Sequence, residues 1–412
     1  MTYKIQDKKD FPIVVIGAGL GGLCCGVLLA KRGFPVTVVE QHDIPGGYAT
    51  TFDRATGKFT FDVSLHRISV NRELQRLLKE LGVLDKIELV KIPNTVRVIT
   101  PNQDFRRIND LKQKVHGLIE KFPHYIKRRS QDLSYALAES IVESSGRIIY
   151  EKMIEKIVLK DRAVSGVVTS EGKYLQAKIV ISNANAITIL NNMLPSGTLP
   201  PDYMNRINGY GTSLSTFVIW LGLNREIHEH IKDSHIIISS GRGSEANYLS
   251  CLTGEVEKAD VSVTVYDNYY KGYSKPGTST VTIITECGFQ PWQRFESDYK
   301  AGHKADYLKE KERWTRILMK KVEEKAIPGL SSMVEVKEAA TPLTNWRYTL
   351  NPGGAIYGFP CTVDNSFMNR IKNRTPIKGL YLASAWGNAG PGYAPGLKGG
   401  ERTFEQVLED LA

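Results

Sequence analysis

Cysteine is scarce in this chain. Five stand among 412 residues, Cys24, Cys25, Cys251, Cys287 and Cys361, with no C-x-x-C spacing and mostly inside apolar runs. That pattern excludes a disulfide framework and a zinc site, and it points to a reducing, cytoplasmic setting. No repeat period or low-complexity tract is present. No grouping of serine, histidine and aspartate suggests a nucleophilic triad, and no cluster of ligand-type residues suggests a metal centre. Acidic charge is also in short supply, with 44 Asp and Glu against 54 Lys and Arg, for a net charge of +10. Between Phe105 and Ser130 eight Lys or Arg face two Asp or Glu. An excess of this kind suits anionic lipid, an acidic ligand or a solvated face; nucleic acid is not expected, because no recognition motif accompanies it.

What is present begins with FPIVVIGAGLGGLCCGVLLA, a stretch from Phe11 to Ala30 without one charge. It is long enough to span a bilayer. Four glycines in six central positions argue otherwise. The β-branched run Ile13 to Ile16 reads as a buried parallel strand, the glycines as a turn, and the rest as a helix capped by Gly33, before a second strand from Pro35 to Glu40. Gly17-x-Gly19-x-x-Gly22 is the dinucleotide fingerprint: the first glycine permits the turn, the second lets backbone approach a diphosphate, the third packs helix on strand. Glu40 follows Gly22 by 18 residues, where an acid accepts from ribose hydroxyls. Leu20, Gly21 and Gln41 complete this set of expected contacts. No small-residue cleavage site follows the apolar stretch, so it does not read as a secretion signal.

Two further features favour FAD over NAD. Gly46-Gly47 stands just beyond the acid, where a second loop can close on the ribose and diphosphate. KFTFDVSLH (Lys58 to His66) then reads as an alternating strand ending at a histidine. Near the C-terminus GLYLAS (Gly379 to Ser384) is another buried strand, followed by a glycine-rich turn with Gly387, Gly390, Gly392 and Gly396 and an amphipathic helix through Phe404, Val407, Leu408 and Leu411. A second strand, turn and helix suits the ribityl chain and ring edge of a flavin, with Gly387, Gly392, Tyr393 and Ala394 at the turn.

With GxGxxG, Glu40, the glycine doublet, FDV and GLYLA…GPGYAPG together, the chain resembles the phytoene desaturase, carotenoid isomerase and retinol saturase superfamily of FAD enzymes, itself akin to amine oxidases. TPLTNWRYTLNPGGAIYG (Thr341 to Gly358) and the stretch from Ser144 to Asn185 carry the same resemblance. It implies a backbone contact to adenine from Ile154, and it places His66, Arg347 and Tyr357 near the flavin as candidate catalytic residues. The departures are Ser64 for glycine, Ala383-Ser384-Ala385 for the usual Gly-Asp, and a short FPHYIKRRS where relatives insert a helical lid. Either the lid has been lost or the substrate differs.

The expected architecture is α/β: a discontinuous Rossmann-like FAD-binding domain from 1–105, 130–200 and 341–412, and a substrate domain of mixed sheet plus helix from 106–129 and 201–340. Strands are expected at Thr212 to Leu223, around His235, at Val261 to Tyr266 and at Thr278 to Cys287. One helix is expected from His303 to Ala326, with Leu308, Trp314, Ile317, Leu318 and Val322 inward. NDLKQKVHGLIEKFP makes an amphipathic helix that suits either ordinary packing or an anionic membrane face. Trp346 and Trp386 suit core or an apolar channel. Three functions follow as expectations: an FAD enzyme that desaturates, saturates or isomerises a long apolar isoprenoid, an amine-oxidase-type enzyme with a smaller polar substrate, or a flavin binder without turnover.

Overall fold

Ile13–Ile16 forms the expected strand because β-branched side chains suit a sheet that is covered on both faces. The computed structural model describes residues 8–64, 66–108, 122–362, 365, 370–388 and 390–412. Val36–Val39 and Ile179–Ser182 flank the first strand in parallel register, with Arg147–Ile149 and Leu380–Leu382 at the two edges. Every residue of the three central strands is buried. The helix Leu20–Lys31, without a charge before Lys31, is buried up to Ala30 and packed between the helices Ser130–Glu143 and Tyr393–Asp410. A helix apolar on all sides needs such a sandwich. Gly33 ends it in the left-handed region, at φ 84°, with its amide on Ala30 O. Among the described residues no helix is long and apolar enough to cross a membrane.

The second sheet has seven strands, ordered Val334–Ala340, Ser215–Leu223, Ser279–Cys287, Val261–Val265, His235–Ile238, Thr95–Ile99 and Asp104–Ile108. One face packs on the helix Ala305–Lys325 through Phe217, Ile219, Ile283, Trp314 and Leu318. The other face receives the hairpin Thr51–Arg54/Phe59–Asp62, where Phe59 and Phe61 meet Val218 and Trp220. In the long helix Leu308 is exposed and Tyr307 is buried instead. At about 100° per residue, Tyr307 lies seven residues and nearly two turns before Trp314, on its stripe, whereas Leu308 is rotated away.

Strand pairing moves the expected domain boundaries. Thr95–Ile99 joins the second sheet by parallel pairing with His235–Ile238 and brings Asp104–Ile108 with it, so the first nucleotide-binding segment stops short of 95 rather than at 105. Phe122–Ile126, expected on the substrate side, pairs with Ile68–Val70 and Leu89–Lys91 and packs its Tyr125 and Ile126 into the nucleotide-side core. The strand expected to run to His66 leaves its sheet at Asp62. The basic amphipathic segment lies, from Asn109 to Lys121, outside the described residues.

Candidate functional site

Gly17 opens the first turn at φ 90°, with its amide on Val39 O at 2.8 Å. A side chain on Gly19 would run into Asn183, and one on Gly22 into Gly17 O and Asn183. Asn183 Oδ1 in turn accepts from the Gly22 amide at 3.0 Å. Gly19 caps the helix with no side-chain hydrogen bond. The amides of Leu20 and Gly21 have no intrahelical acceptor and face outward from the helix start, the arrangement that receives a phosphate. Asn183 was not singled out from the sequence; only its place after a buried strand hinted at it.

Glu40 is 5% exposed at the end of the second strand. Its Oε2 accepts from the Ala18 amide at 2.7 Å and its Oε1 from the His42 amide at 2.9 Å. The acid therefore braces the glycine turn. Gln41 Nε2 donates to Tyr348 O at 3.1 Å, joining this loop to the end of the helix Pro342–Thr349. Gly46 donates to Ala18 O at 2.7 Å and pairs with Gly19 in a parallel bridge. With φ values of 131° and 60°, Gly46 and Gly47 adopt backbone that side chains disfavour. The doublet thus lies directly on the fingerprint turn. Ile154 opens the strand Ile154–Lys160, two residues after Lys152, whose amide donates to Glu40 O at 2.9 Å.

The C-terminal turn meets the first one. Ala383 donates to Ser182 O, and its own carbonyl occupies the place a Gly21 side chain would need. Gly400 abuts Gly21 O and Cys24 in the same way. Gly392, at φ 108°, caps the C-terminal helix, and Gly396 donates back to it at 2.8 Å. Pro395 has no amide, so Tyr393 and Ala394 offer the open N–H groups of this second helix start. Ser384 Oγ donates to Ala184 O at 3.1 Å, so the Ala-Ser-Ala departure is used inside the protein. Ser64 Oγ donates to Tyr48 O at 2.8 Å and lies 3.3 Å from Tyr393 Oη, tying the other departure to the same turn.

Two residues that sequence reasoning missed hold this turn. Arg370, 3% exposed, donates from Nε to Gly387 O and from Nη2 to Ala385 O, both at 2.7 Å. Asn373 Oδ1 accepts from the Asn388 amide at 2.8 Å, and its Nδ2 donates to Thr403 Oγ1 at 2.9 Å. Nothing local marks either: arginine and asparagine in a loop are ordinary.

The three catalytic candidates are not gathered in one place. His66 is partly buried, with Nδ1 2.8 Å from Tyr266 Oη and its carbonyl accepting from Tyr269 Oη at 2.7 Å. Burial, with the nearby His235 and Arg67, pushes its pKa down to about 3, so the imidazole is neutral. It borders a knot of Tyr125, Tyr266, Tyr269, Tyr270 and Tyr273 in ring contact. Asp62, 1% exposed, accepts there from Ser130 and Tyr125, and burial raises its pKa. Arg347 is exposed, its guanidinium 5.6 Å from the Tyr348 ring. Tyr357 is 47% exposed, with its amide on Ser213 Oγ. Neither makes a described contact with His66. Trp386 is core, packed edge-on against Phe359 at 4.9 Å.

The family described as NAD(P)-binding Rossmann-like domain matches residues 15–81. All-trans-retinol 13,14-reductase of Danio rerio is 24% identical over 91% of this chain and 82% of its own length. Prolycopene isomerase of Daucus carota is 21% identical over 92% of this chain and 77% of its own. The first alignment runs over 502 positions, more than the whole 412-residue chain, so the reductase carries segments without a counterpart here. Among solved structures, an oxidoreductase from Methanosarcina mazei superposes with a TM-score of 0.65 at 16% identity, over 97% of this chain and all of that one. A putrescine oxidase variant gives a TM-score of 0.65 at 12% identity, over 97% and 99%. The chain is therefore similar along nearly its full length to retinol reductases and prolycopene isomerases, on a Rossmann-like fold that it shares with putrescine oxidase.

Proposed function

We propose that this chain binds FAD and acts as an oxidoreductase on a long apolar isoprenoid or carotenoid-like substrate, by desaturation, saturation or isomerisation. The observation that carries this reading is the contact of the first helix start with the end of the last parallel strand, at Gly21 and Ala383, and with the first turn of the C-terminal helix, at Leu20 and Gly396. A nicotinamide site uses one such turn; an extended flavin dinucleotide uses both. The fit is good: the amides of Leu20 and Gly21 suit the diphosphate, Glu40 the ribose, the backbone near Ile154 the adenine, and the amides of Tyr393 and Ala394 the electron-rich edge of the ring. The positive backbone φ of Gly17, Gly46, Gly47 and Gly392 keeps the cradle free of side chains.

FAD held there supplies the hydride-accepting and hydride-donating centre. The chain's own part is to position substrate and exclude water, since C–H bonds of a polyene are not acidic. Neutral His66, held by Tyr266, offers a hydrogen bond rather than a charge. The similarity to retinol reductase and prolycopene isomerase supports the substrate class. The exposed strand Asp104–Ile108, with Phe105, Arg106, Arg107 and Ile108, supports approach to an anionic membrane surface.

The test is anaerobic incubation of the FAD-loaded protein, oxidised and reduced, with polyene-loaded liposomes. Change in flavin and polyene absorbance is expected; none in either state rejects the reading. A second reading, an amine-oxidase-type enzyme with a smaller substrate, is favoured by the segments of the reductase that are missing here and by the likeness to putrescine oxidase. Hydrogen peroxide release with amines and not with polyenes selects it.

A further inference from the structure

One side chain meets every glycine of the fingerprint turn. Asn183 stands directly after the buried strand Ile179–Ser182, with its amide on Ile16 O at 2.8 Å. A side chain on Gly17 would lie against its Cβ, and one on Gly22 would strike the same atom. One on Gly21 would press on its Oδ1, and one on Gly19 would strike its Nδ2. The Asn183 side chain is therefore located by its own atoms on four sides, and by the bond that Oδ1 accepts from the Gly22 amide at 3.0 Å. That bond also tells the two ends of the amide apart. The Gly22 N–H requires an oxygen facing it, so the nitrogen is the end that lies against Gly19.

The nitrogen is left over. Asn183 is partly exposed, and its Nδ2 keeps contact with solvent and has no hydrogen-bond partner among the described residues. Its place in the fold identifies a ligand. Ile13–Ile16 and Ile179–Ser182 are neighbours at the point where the strand order of the parallel sheet reverses. Open sheets of this kind bind ligands there, outside the carboxyl ends of the strands. The room that the second glycine of the fingerprint leaves is the side from which a diphosphate is approached. Here Nδ2 takes up that room, next to Leu20 and Gly21 with their open amides. Glu40, the acid that braces the turn, has both oxygens engaged by the Ala18 and His42 amides.

We propose that Asn183 Nδ2 donates a hydrogen bond to a diphosphate oxygen of the bound dinucleotide, which makes Asn183 a cofactor-contact residue. This rests on the FAD reading above. Because Gly22 holds Oδ1, the amide is oriented before the cofactor arrives, and little side-chain freedom is lost on binding.

The test compares wild type with Asn183→Asp, which keeps an acceptor for the Gly22 amide and replaces only the donor. Thermal unfolding is measured on the cofactor-free proteins, and the dissociation constant for FAD is taken from quenching of flavin fluorescence at about 0.05 and 0.5 M salt. Without cofactor the variant is expected to be at least as stable as wild type, since a carboxylate suits a helix start. FAD is expected to bind at least about tenfold more weakly at both salt concentrations, the size of one lost hydrogen bond to a charged acceptor. Equal affinity in the two proteins overturns the proposal. So does a difference that vanishes at high salt, because screening removes repulsion at a distance but does not restore a lost bond. A cofactor-free variant clearly less stable than wild type also overturns it, by giving Nδ2 a partner within the protein. Wild type that binds no FAD at all fails differently, because it removes the reading beneath.

Discussion

The carbonyl oxygen of Ala383 occupies the space that a side chain on Gly21 would require. Gly21 lies in the first turn of the first helix and Ala383 just beyond the last strand of the parallel sheet. Gly400 reinforces this contact, abutting Gly21 O and Cys24.

Gly21→Ala therefore strikes backbone on backbone, with no flexible side chain to move aside. Overpacking of this kind costs about 1–3 kcal/mol, occasionally more. The expected outcome is a clearly lowered thermal midpoint and loss of co-purifying flavin. Retention of flavin at the wild-type level would mean that the two turns tolerate separation.

Glu40→Ala removes the acceptor for both the Ala18 and His42 amides. Hydrogen bonds to a charged acceptor contribute about 1.5–3 kcal/mol. Denaturant unfolding of the cofactor-free protein should show a loss of about that size or larger, and FAD affinity should fall as well. Glu40→Gln, which keeps one carbonyl oxygen, should lose less on both counts.

Acid should weaken the fold through two histidines. The pKa of His66 is pushed down to about 3 and that of His235 to about 4, in both cases chiefly by burial. Between those values and the ordinary 6.5, the unfolded chain takes up protons that the folded chain refuses, so stability is lost as pH falls through this window. Thermal midpoints measured from neutral pH down to about 4 should decline, and His66→Gln should flatten the decline. An unchanged slope in that variant would place His66 in a wetter setting.

Arg347→Ala and Tyr357→Phe should do little. Arg347 is exposed on its helix, and about half of Tyr357 is exposed, while neither touches His66. Surface changes of this kind fall within about 0.5 kcal/mol. Unaltered stability is expected for each, with turnover within about twofold of wild type, a change equivalent to the same energy. A loss of turnover by orders of magnitude in either would restore it to the catalytic set.

Much of the nucleotide-binding half was legible because its signals are local. A β-branched run, four glycines and an apolar helix identify themselves within thirty residues, and Glu40 and Gly46-Gly47 follow at readable spacings. The candidate catalytic set was read less well. Arg347 and Tyr357 were placed by resemblance along the chain, and nothing in their own sequence showed which way their side chains face. Arg370 and Asn373 were missed because loop residues that bond to distant carbonyls have no pattern of their own.

By itself the sequence determined the strand–turn–helix units and the residues lining each, since a glycine's permitted backbone and a strand's burial are properties of short segments. Only the tertiary structure decided that Gly21 lies against Ala383, that Thr95–Ile99 joins the second sheet, and that the Asn183 side chain takes up the room beside Gly19. Such pairings join segments far apart in the chain, and many strands and loops of similar composition compete for each partner until the whole core packs.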